Sequence, residues 1–431
     1  MTAAEAAQAT HQAITAVWRL ESAKVIAHVA RIVRDVGVAE ELAQDALVAA
    51  LAHWPADGVP HNPGAWLMTT AKNRALDWLR QVALHAKKHE ELGADLEALQ
   101  AHVVPDFVEG LDAVREDDIG DDLLRLMFTA CHPVLSLDAR VALTLKLLGG
   151  LSTDEIARAF LVPEPTMAQR IVRAKRTLTA AKVPFEVPRA NALEVRLAAV
   201  LEVVYLIFNE GYSATLGDDL TRPALIDEAL RLGRLLAGLL PQNSEVHGLV
   251  ALMEIQASRT AARVDAEGQP VLLQDQDRSR WDRFLIRRGL AALARSEALV
   301  GVNGAFGPYA LQGALAACHA RAATAAAIDW AQIVALYDAL AQVAPSPVVE
   351  LNRAVAVGMA FGSAAGLELV DELGLDASLN QYPWLASVRG DLLHKLGRTA
   401  EASAEFTRAA GLTRNARERE FLLGRAQRSA T

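Results

Sequence analysis

The sequence predicts an all-α fold, and three observations support this prediction. Hydrophobic residues make up 52% of the chain but aromatic residues only 5%, an alanine- and leucine-rich balance that favours helices over sheets. Apolar residues recur at helical spacing over much of the chain. Proline and glycine are concentrated between these periodic stretches, where helices end. A chain of 431 residues is expected to form roughly two to four domains.

The N-terminal part predicts three helices. Apolar residues recur at helical spacing from 11 to about 35, with a break near Gly37. A second helix over 38–54 starts with acidic residues, which the helix dipole favours, and is predicted to stop at Pro55. The following loop, PADGVPHNP, holds three prolines and cannot continue that helix. A third helix begins at Gly64 and becomes basic in its second half.

Charge is distributed unevenly along the chain. The formal net charge is -9, which by itself argues against a nucleic-acid binder, because phosphate contacts need Lys and Arg. Residues 66–88, however, contain five basic side chains and one acidic side chain. Residues 166–182 contain five basic side chains and no acidic one. Between these islands, residues 90–122 contain twelve acids and one Arg. We therefore predict two cationic helices joined by a flexible acidic linker over 89–120.

The second half of the chain is also predicted to be helical. Residues 121–182 read as helices up to the break VPFEVP, and 190–431 read as short helices punctuated by Pro and Gly. The segment 383–412 is similar to a tetratricopeptide helix pair. The positions that carry this similarity are Leu393, Leu396, Gly397, Ala402, Phe406 and Ala409.

Residues 151–178 carry the pattern of a helix-turn-helix. Ser152 or Thr153 is predicted to cap a short first helix, and Pro165 suits the first turn of the second one. The side chains predicted to face inward from the second helix are Met167, Ile171, Val172 and Leu178. Those predicted to face outward are Gln169, Arg170, Arg173, Lys175 and Arg176.

A second helix of this kind suits the major groove of DNA, where Gln and Arg reach base edges and neighbouring cations hold phosphates. The alternative is an ordinary helical hairpin with a solvated basic face. The pattern alone leaves both open.

The N-terminal segments indicate a family. The stretch VAEELAQDALVAALAHW followed by PGAWLMTTAKNRALDWLR resembles region 2 of extracytoplasmic-function sigma factors, and 121–182 resembles their region 4. The phrases EPTMAQRIVRAKR, FNEGYSA, LLQDQDRSRWDR and PSPVVELNRAVAV are similar to a subgroup with a tetratricopeptide-like C-terminal extension. The resemblance implies a domain order of region 2 (1–88), linker (89–120), region 4 (121–186) and extension (187–431).

The resemblance also implies roles for residues of region 2. The loop 57–62 and Asn73 correspond to a pocket that captures a flipped base of the minus-ten element, which agrees with how single strands are bound. Trp66 and Trp78 are candidates for stacking on bases, with a place in the core as the alternative. The residues expected to contact the minus-ten strand are Lys72, Asn73, Arg74, Arg80 and Trp66. Those expected to dock on core RNA polymerase, or else to form a solvated acidic face, are Glu41, Gln44 and Asp45.

For region 4, the resemblance implies contacts to promoter DNA at the minus-thirty-five element. The residues expected to make them are Thr166, Gln169, Arg170, Arg173, Lys175 and Arg176. Ala168 stands where many relatives carry Arg or Lys, so the promoter preference is expected to differ from the common type.

The extension is expected to regulate the other regions, through contact with region 2 or 4 of the same chain. Two of its motifs have open interpretations. Residues 209–212 are either a functional contact or a helix end with Gly211 as a left-handed cap. Residues 275–283 form a dense charged cluster, interpreted as a salt-bridge network or a solvated loop, with a metal site less favoured.

No enzymatic function, cofactor or metal is predicted. The sequence has no HExxH, GxSxG, P-loop or GxGxxG motif. The two cysteines, Cys131 and Cys318, are far apart and lack a metal-site pattern, which suits a reducing cytoplasm. No apolar run is long enough to span a membrane, so we expect a cytoplasmic protein without membrane contact.

Two other functions stay open at this point. One is a tetratricopeptide-type adaptor whose basic helices are only solvated. The other is a one-component repressor or activator that binds duplex DNA and senses a ligand through the extension.

Overall fold

The computed structural model describes residues 3–91, 116–189, 191–214, 219–266, 268–301, 304–374, 376, 379 and 381–430. Over these residues the chain forms eighteen α-helices and no β-strand, with one isolated antiparallel β-bridge between Val264 and Pro270. The prediction of an all-α fold is confirmed. The chain divides into two compact units, 1–203 and 204–431. Most of the predicted acidic linker lies outside the described residues.

The first unit contains seven complete helices and the first half of an eighth. Its helices are α1 (Ala3–Val33), α2 (Val36–Asp57), α3 (Pro63–Glu91), α4 (Glu116–Ala130), α5 (Leu137–Leu147), α6 (Thr153–Ala159), α7 (Glu164–Ala180) and α8 (Asn191–Tyr212).

The start of α2 is fixed by a side-chain cap. Asp35 accepts hydrogen bonds from the backbone N–H groups of Gly37 (2.8 Å) and Val38 (2.9 Å), which satisfies donors that have no partner inside the helix. The prediction that α2 stops at Pro55 is wrong, because the helix continues to Asp57. Trp54 is buried, with 2% of its surface exposed. We attribute the extra residues to this packing, which offsets the proline's bias against helix at the preceding position.

Helix α4 packs against α1 through an apolar face. Val25, Val29 and Leu126 are fully buried there. The buried carboxylate of Asp122 on α4 lies 3.3 Å from Arg31 Nε of α1 and 2.6 Å from Arg125 Nη1 of its own helix. A buried carboxylate needs such partners, so these contacts hold α4 in register on α1.

Helices α6 and α7 form the predicted helix-turn-helix. Ser152 accepts from the backbone N–H of Glu155 while the Glu155 carboxylate accepts from the N–H of Ser152, which completes a capping box. Met167, Ile171 and Leu178 are buried as predicted.

The prediction that Val172 faces inward is wrong, because 43% of its surface is exposed. At 100° per residue it lies about 130° away from the centre of the buried stripe.

The second unit is a succession of helices that pack on their neighbours in the chain. They are α9 (Pro223–Leu239), α10 (Ser244–Ala257), α11 (Arg283–Val300), α12 (Pro308–Arg321), α13 (Trp330–Val343), α14 (Pro347–Phe361), α15 (Ser363–Leu373), α16 (Pro383–Lys395), α17 (Thr399–Leu412) and α18 (Ala416–Ala430).

Two positions of this unit illustrate why small residues are needed. Gly390 of α16 lies against the ring of Phe406 on α17, where a Cβ atom would meet the ring carbons. The tetratricopeptide likeness of this helix pair stays a prediction. Gly211 lies inside α8 without a positive φ and directly against the start of α9, so its interpretation as a left-handed cap is wrong.

Candidate nucleic-acid and polymerase interface

Helix α3 presents a basic and polar face. Asn73 and Arg80 are exposed, and Lys72 and Arg74 are half-buried. Arg80 donates to Asp77 on the same helix at 2.8 Å. Both groups of that ion pair are well exposed, so it contributes little to stability and leaves the arginine available to a phosphate.

The loop before α3 forms a pocket. Its volume is about 460 Å³, and its walls come from the end of α2, the loop and Trp66, within the size range of small-molecule sites. Trp66 is half-buried and meets Trp54 edge to face, with 5.4 Å between ring centres. Trp66 thus packs on the core with one side and lines the pocket with the other. Asn73 lies two turns further along α3 and is not among the residues that line it.

The residues predicted to bind polymerase lie on one exposed face of α2. Glu41, Gln44 and Asp45 are all exposed. The Gln44 side-chain amide donates to Glu40 Oε1 at 2.7 Å. Asp45 lies 3.4 Å from Arg74 of α3, so the predicted polymerase surface and the predicted minus-ten surface adjoin each other.

The outer face of α7 carries the residues predicted to read duplex DNA. Thr166, Gln169, Arg173 and Arg176 are exposed. Arg170 is half-buried and lies 3.6 Å from Asp138 of α5. A groove of about 410 Å³ runs between this face and the start of α5. The spacing of positions 166, 169, 170 and 173 places them on one side of the helix.

Lys175 lies on the opposite side of α7, and this is what the sequence analysis missed. Its ammonium group forms an ion pair with Glu40 of α2, whose side chain is only 3% exposed. Lys146 of α5 lies 3.7 Å from the same carboxylate. A buried acid at position 40 was not predicted because an acidic residue early in a helix usually points to solvent.

Two further contacts join the helix-turn-helix to the first helices. The Thr179 hydroxyl of α7 donates to Asp35 Oδ2 at 2.7 Å. Arg19 of α1 forms an ion pair with Glu155 of α6. In the first unit, polar contacts therefore help to hold α7 against α2.

The adjacent Cys131 and His132 do not form an activated nucleophile and base. Burial raises the pKa of Cys131 to about 11, so its thiol stays protonated near neutral pH and is a poor nucleophile. Burial, with a smaller contribution from Arg196, lowers the pKa of His132. Across the described ranges, no group of three or more His, Cys, Asp or Glu side chains could hold a metal ion. Nor does any helix in that part of the chain have the length and apolar character to cross a membrane.

Comparisons with known proteins identify three segments. A family model described as sigma-70 region 2 matches residues 18–84, and one described as sigma-70, region 4 matches 125–178. A family of unknown function, DUF6596, matches 196–297. The first two segments contain every residue predicted to contact DNA or polymerase.

One relative extends over nearly the whole chain. An uncharacterized protein of Rhizobium meliloti (strain 1021) is 43% identical over 393 residues, which cover 91% of this chain and 90% of the relative. No solved structure matches the chain.

Proposed function

The chain belongs to the extracytoplasmic-function sigma factors of the sigma-70 family and carries a C-terminal extension, and from this premise we propose how its surfaces divide the work of transcription initiation. As a sigma factor it acts in promoter recognition, with core RNA polymerase and promoter DNA as partners. Sigma factors are not themselves enzymes. The observation that carries the proposal is the pair of exposed basic helix faces within the two sigma-70 segments.

Helix α7 reads the minus-thirty-five element as duplex DNA. Gln169 and Arg173 are exposed on its outer face, where an amide and a guanidinium group can reach base edges in the major groove. Arg176 lies at the margin of this face and contacts a phosphate. Lys175 lies on the opposite side of α7 and contacts Glu40 instead of this face.

Helix α3 and the adjoining pocket bind the melted minus-ten strand. A flipped base enters the pocket beside Trp66, since an aromatic ring together with the polar side chains of His53 and Asp57 suits a base taken out of the stack. Asn73 and Lys72 lie further along the same helix and contact the neighbouring nucleotides. Arg80 follows them and holds the strand's backbone.

Core polymerase docks on α2 through Glu41, Gln44 and Asp45. These side chains are exposed together, and their acidic character selects a basic or amide-rich partner surface. Docking also competes with Arg74 for Asp45. It therefore connects polymerase binding to the availability of an α3 cation for DNA.

The contact between α7 and α2 has to break when the chain binds both elements of a promoter. The minus-ten and minus-thirty-five elements are about 25 base pairs apart, or roughly 85 Å along B-DNA at 3.4 Å per base pair. A helix whose Lys175 contacts Glu40 of α2 cannot lie at one element while α3 lies at the other. The 24 residues between Glu91 and Glu116 can span at most about 80 Å, which is close to this separation, and the lengths of α3 and α7 add to the reach.

The extension regulates this activity within the same chain. Most of its residues form the second compact unit, 204–431, and a fused domain has a high effective concentration near regions 2 and 4. A chain that ends after Tyr212 should differ from the full chain in promoter-specific transcription. Equal activity of the two chains in cells and in a purified system would reject the regulatory role.

The test of the main proposal is reconstitution. The purified chain should co-purify with bacterial core polymerase and direct run-off transcripts from promoter fragments of its own genome. An activator would need another sigma factor in the reaction, and an adaptor would bind no DNA. Either result would replace the proposal.

A further inference from the structure

Two motifs of the extension, which the sigma-factor function does not use, come together in the second unit. Tyr212 ends the FNEGY stretch, and Trp281 lies in the charged segment 275–283. The guanidinium carbon of Arg259 lies 5.9 Å from the Tyr212 ring centre and 6.0 Å from that of Trp281. Arg263 lies 3.9 Å over Tyr212, and Arg278 lies 4.5 Å over Trp281. We refer to Arg259, Arg263 and Arg278 as the arginine cluster.

The charged segment does not form the predicted salt-bridge network. Asp277 accepts from the backbone N–H of Ser279 at 2.9 Å. Asp282 caps α11 by accepting from the N–H groups of Phe284 and Leu285. These two acids therefore serve as helix caps and are not partners of the arginines.

The arginine cluster lacks a counter-charge. Within the described residues, none of the three guanidinium groups forms an ion pair. The acid that acts on Arg263 is Glu418, whose carboxylate already accepts from the Thr413 hydroxyl at 2.8 Å and whose pKa burial raises. It cannot neutralise three cations.

Among the described residues, several buried donors of the cluster and of the adjoining Trp281 also have no hydrogen-bond partner. They are Arg259 Nε, Arg263 Nη1, Arg278 Nη2 and Trp281 Nε1. Trp281 is 97% buried, with 3% of its surface exposed. Native proteins satisfy nearly all such groups, and each unsatisfied one destabilises the folded state.

Structural contacts satisfy part of the cluster and leave the rest of its donors unexplained. Arg278 donates through Nη1 to the carbonyl oxygens of His319 (2.7 Å) and Ala322 (2.9 Å) at the end of α12. Arg263 shares a side-chain hydrogen bond with Tyr212 and leaves Nη1 without a partner, and Arg259 has no comparable acceptor in the described part of the chain. The surroundings of the cluster are also unfavourable for charge, since burial, and more weakly Arg259, lowers the pKa of both Arg263 and Arg278.

We propose that the arginine cluster binds an oxyanion group, the phosphate or carboxylate of a small molecule. Guanidinium groups match the planar geometry of such groups and bind them through two parallel hydrogen bonds. An anion would supply both the missing negative charge and the missing acceptors, with the Tyr212 and Trp281 rings holding the guanidinium planes in place. The site lies in the second unit alone, largely within the segment matched by the family of unknown function.

The test measures the thermal stability of the full chain with inorganic phosphate and with citrate, against chloride at equal ionic strength. A ligand of the folded state raises the Tm in a saturable way. A response to phosphate alone assigns a phosphate ligand, and a response to citrate alone assigns a carboxylate. Both anions also stabilise proteins by exclusion from the surface, so variants decide the result.

Arg263→Met should abolish the saturable rise in Tm or weaken the apparent affinity at least tenfold. In anion-free buffer it should change the Tm little, because the removal of one of three like charges offsets the loss of the Tyr212 contact, whereas loss of a purely structural arginine would lower the Tm. Arg259→Lys keeps the charge but loses the planar fork, and it should bind more weakly while still folding. The matched control is Arg353→Met in the same unit, which removes an arginine already paired with Asp338 at 2.6 Å.

The control should keep the full anion response. No saturable rise with either anion would overturn the proposal. An equal rise in the parent chain, Arg263→Met and Arg259→Lys would also overturn it.

Discussion

At the scale of single residues, the position of a cation on its helix decides what it can do. Arg173 and Lys175 are two residues apart, yet Arg173 is exposed on the outer face of α7 and Lys175 contacts a buried glutamate. The sequence predicted both as DNA contacts. Helical spacing shows which residues face away from the core of their own helix pair, but it does not show which other helix packs against them. Glu40 carries no signal of its own in a sequence with several acids nearby.

Arg173→Ala should weaken binding of a minus-thirty-five duplex. The guanidinium group is exposed, so its loss removes one phosphate or base contact and should reduce the slope of log affinity against log salt by about 1. Fluorescence anisotropy over a salt series measures both quantities. Arg398→Ala, which removes an exposed arginine of α17's N-terminus, is the control and should leave the slope unchanged. A parent-like slope for Arg173→Ala would remove this residue from the interface.

His319 should make the stability of the second unit depend on pH. Burial, followed by Arg259 and Arg278, lowers its pKa to about 4, whereas an unfolded histidine titrates near 6.5. Between these two pH values the imidazole is protonated in the unfolded chain but neutral in the folded chain. The free energy of unfolding therefore falls as the pH drops from about 6.5 towards 4. The loss should be on the order of 2 kcal/mol at pH 4.5.

Urea unfolding of the parent and His319→Gln at pH 7 and pH 4.5 measures this effect. The variant has no imidazole to protonate and should lose less stability between the two pH values. Identical losses would show that other groups cause the acid sensitivity.

At the scale of elements, helix type and the helix-turn-helix could be predicted because capping, periodicity and proline placement are local. Ser152, Met167 and Ile171 behave as predicted for that reason. The continuation of α2 through Pro55 could not be predicted, since the packing of Trp54 comes from tertiary contacts. The pocket beside Trp66 depends on how the loop folds back towards α2, which no local pattern specifies.

Asn73→Ala should separate duplex recognition from strand opening. The side chain is exposed on α3, so its loss leaves α7 untouched and should spare binding of the minus-thirty-five duplex. The yield of open complexes with core polymerase should fall several-fold, because a polar contact to the unpaired strand is lost. Gln81→Ala, at another exposed position of α3, is the matched control. An unchanged open-complex yield would exclude Asn73 from the strand-binding surface.

At the scale of the whole molecule, the sequence predicts the presence of the cationic helices α3 and α7 but not the contact of α7 with α2 in one compact unit. Long-range ion pairs such as Lys175 with Glu40 join residues more than a hundred positions apart, and sequence spacing contains no information about them. The function of a sigma factor, in turn, requires that this contact be temporary.

A reversible disulfide tests that requirement. Asp35→Cys with Thr179→Cys places two thiols where side-chain oxygens now lie 2.7 Å apart, and the native Cys131 and Cys318 are buried and free. The oxidised chain should lose run-off transcription, and reduction should restore it. Asp35→Cys alone controls for the lost helix cap and should be active under both conditions. Full activity of the oxidised double variant would show that α7 need not leave α2.

The most direct test of the central claim is a footprint of one complex of the chain, core polymerase and a promoter, probed at both elements. We predict protection of the duplex at the minus-thirty-five element together with permanganate-reactive, unpaired thymines at the minus-ten element. Protection without unpaired thymines, or no complex with core polymerase, would contradict the assignment of α7 to duplex DNA and α3 to the melted strand.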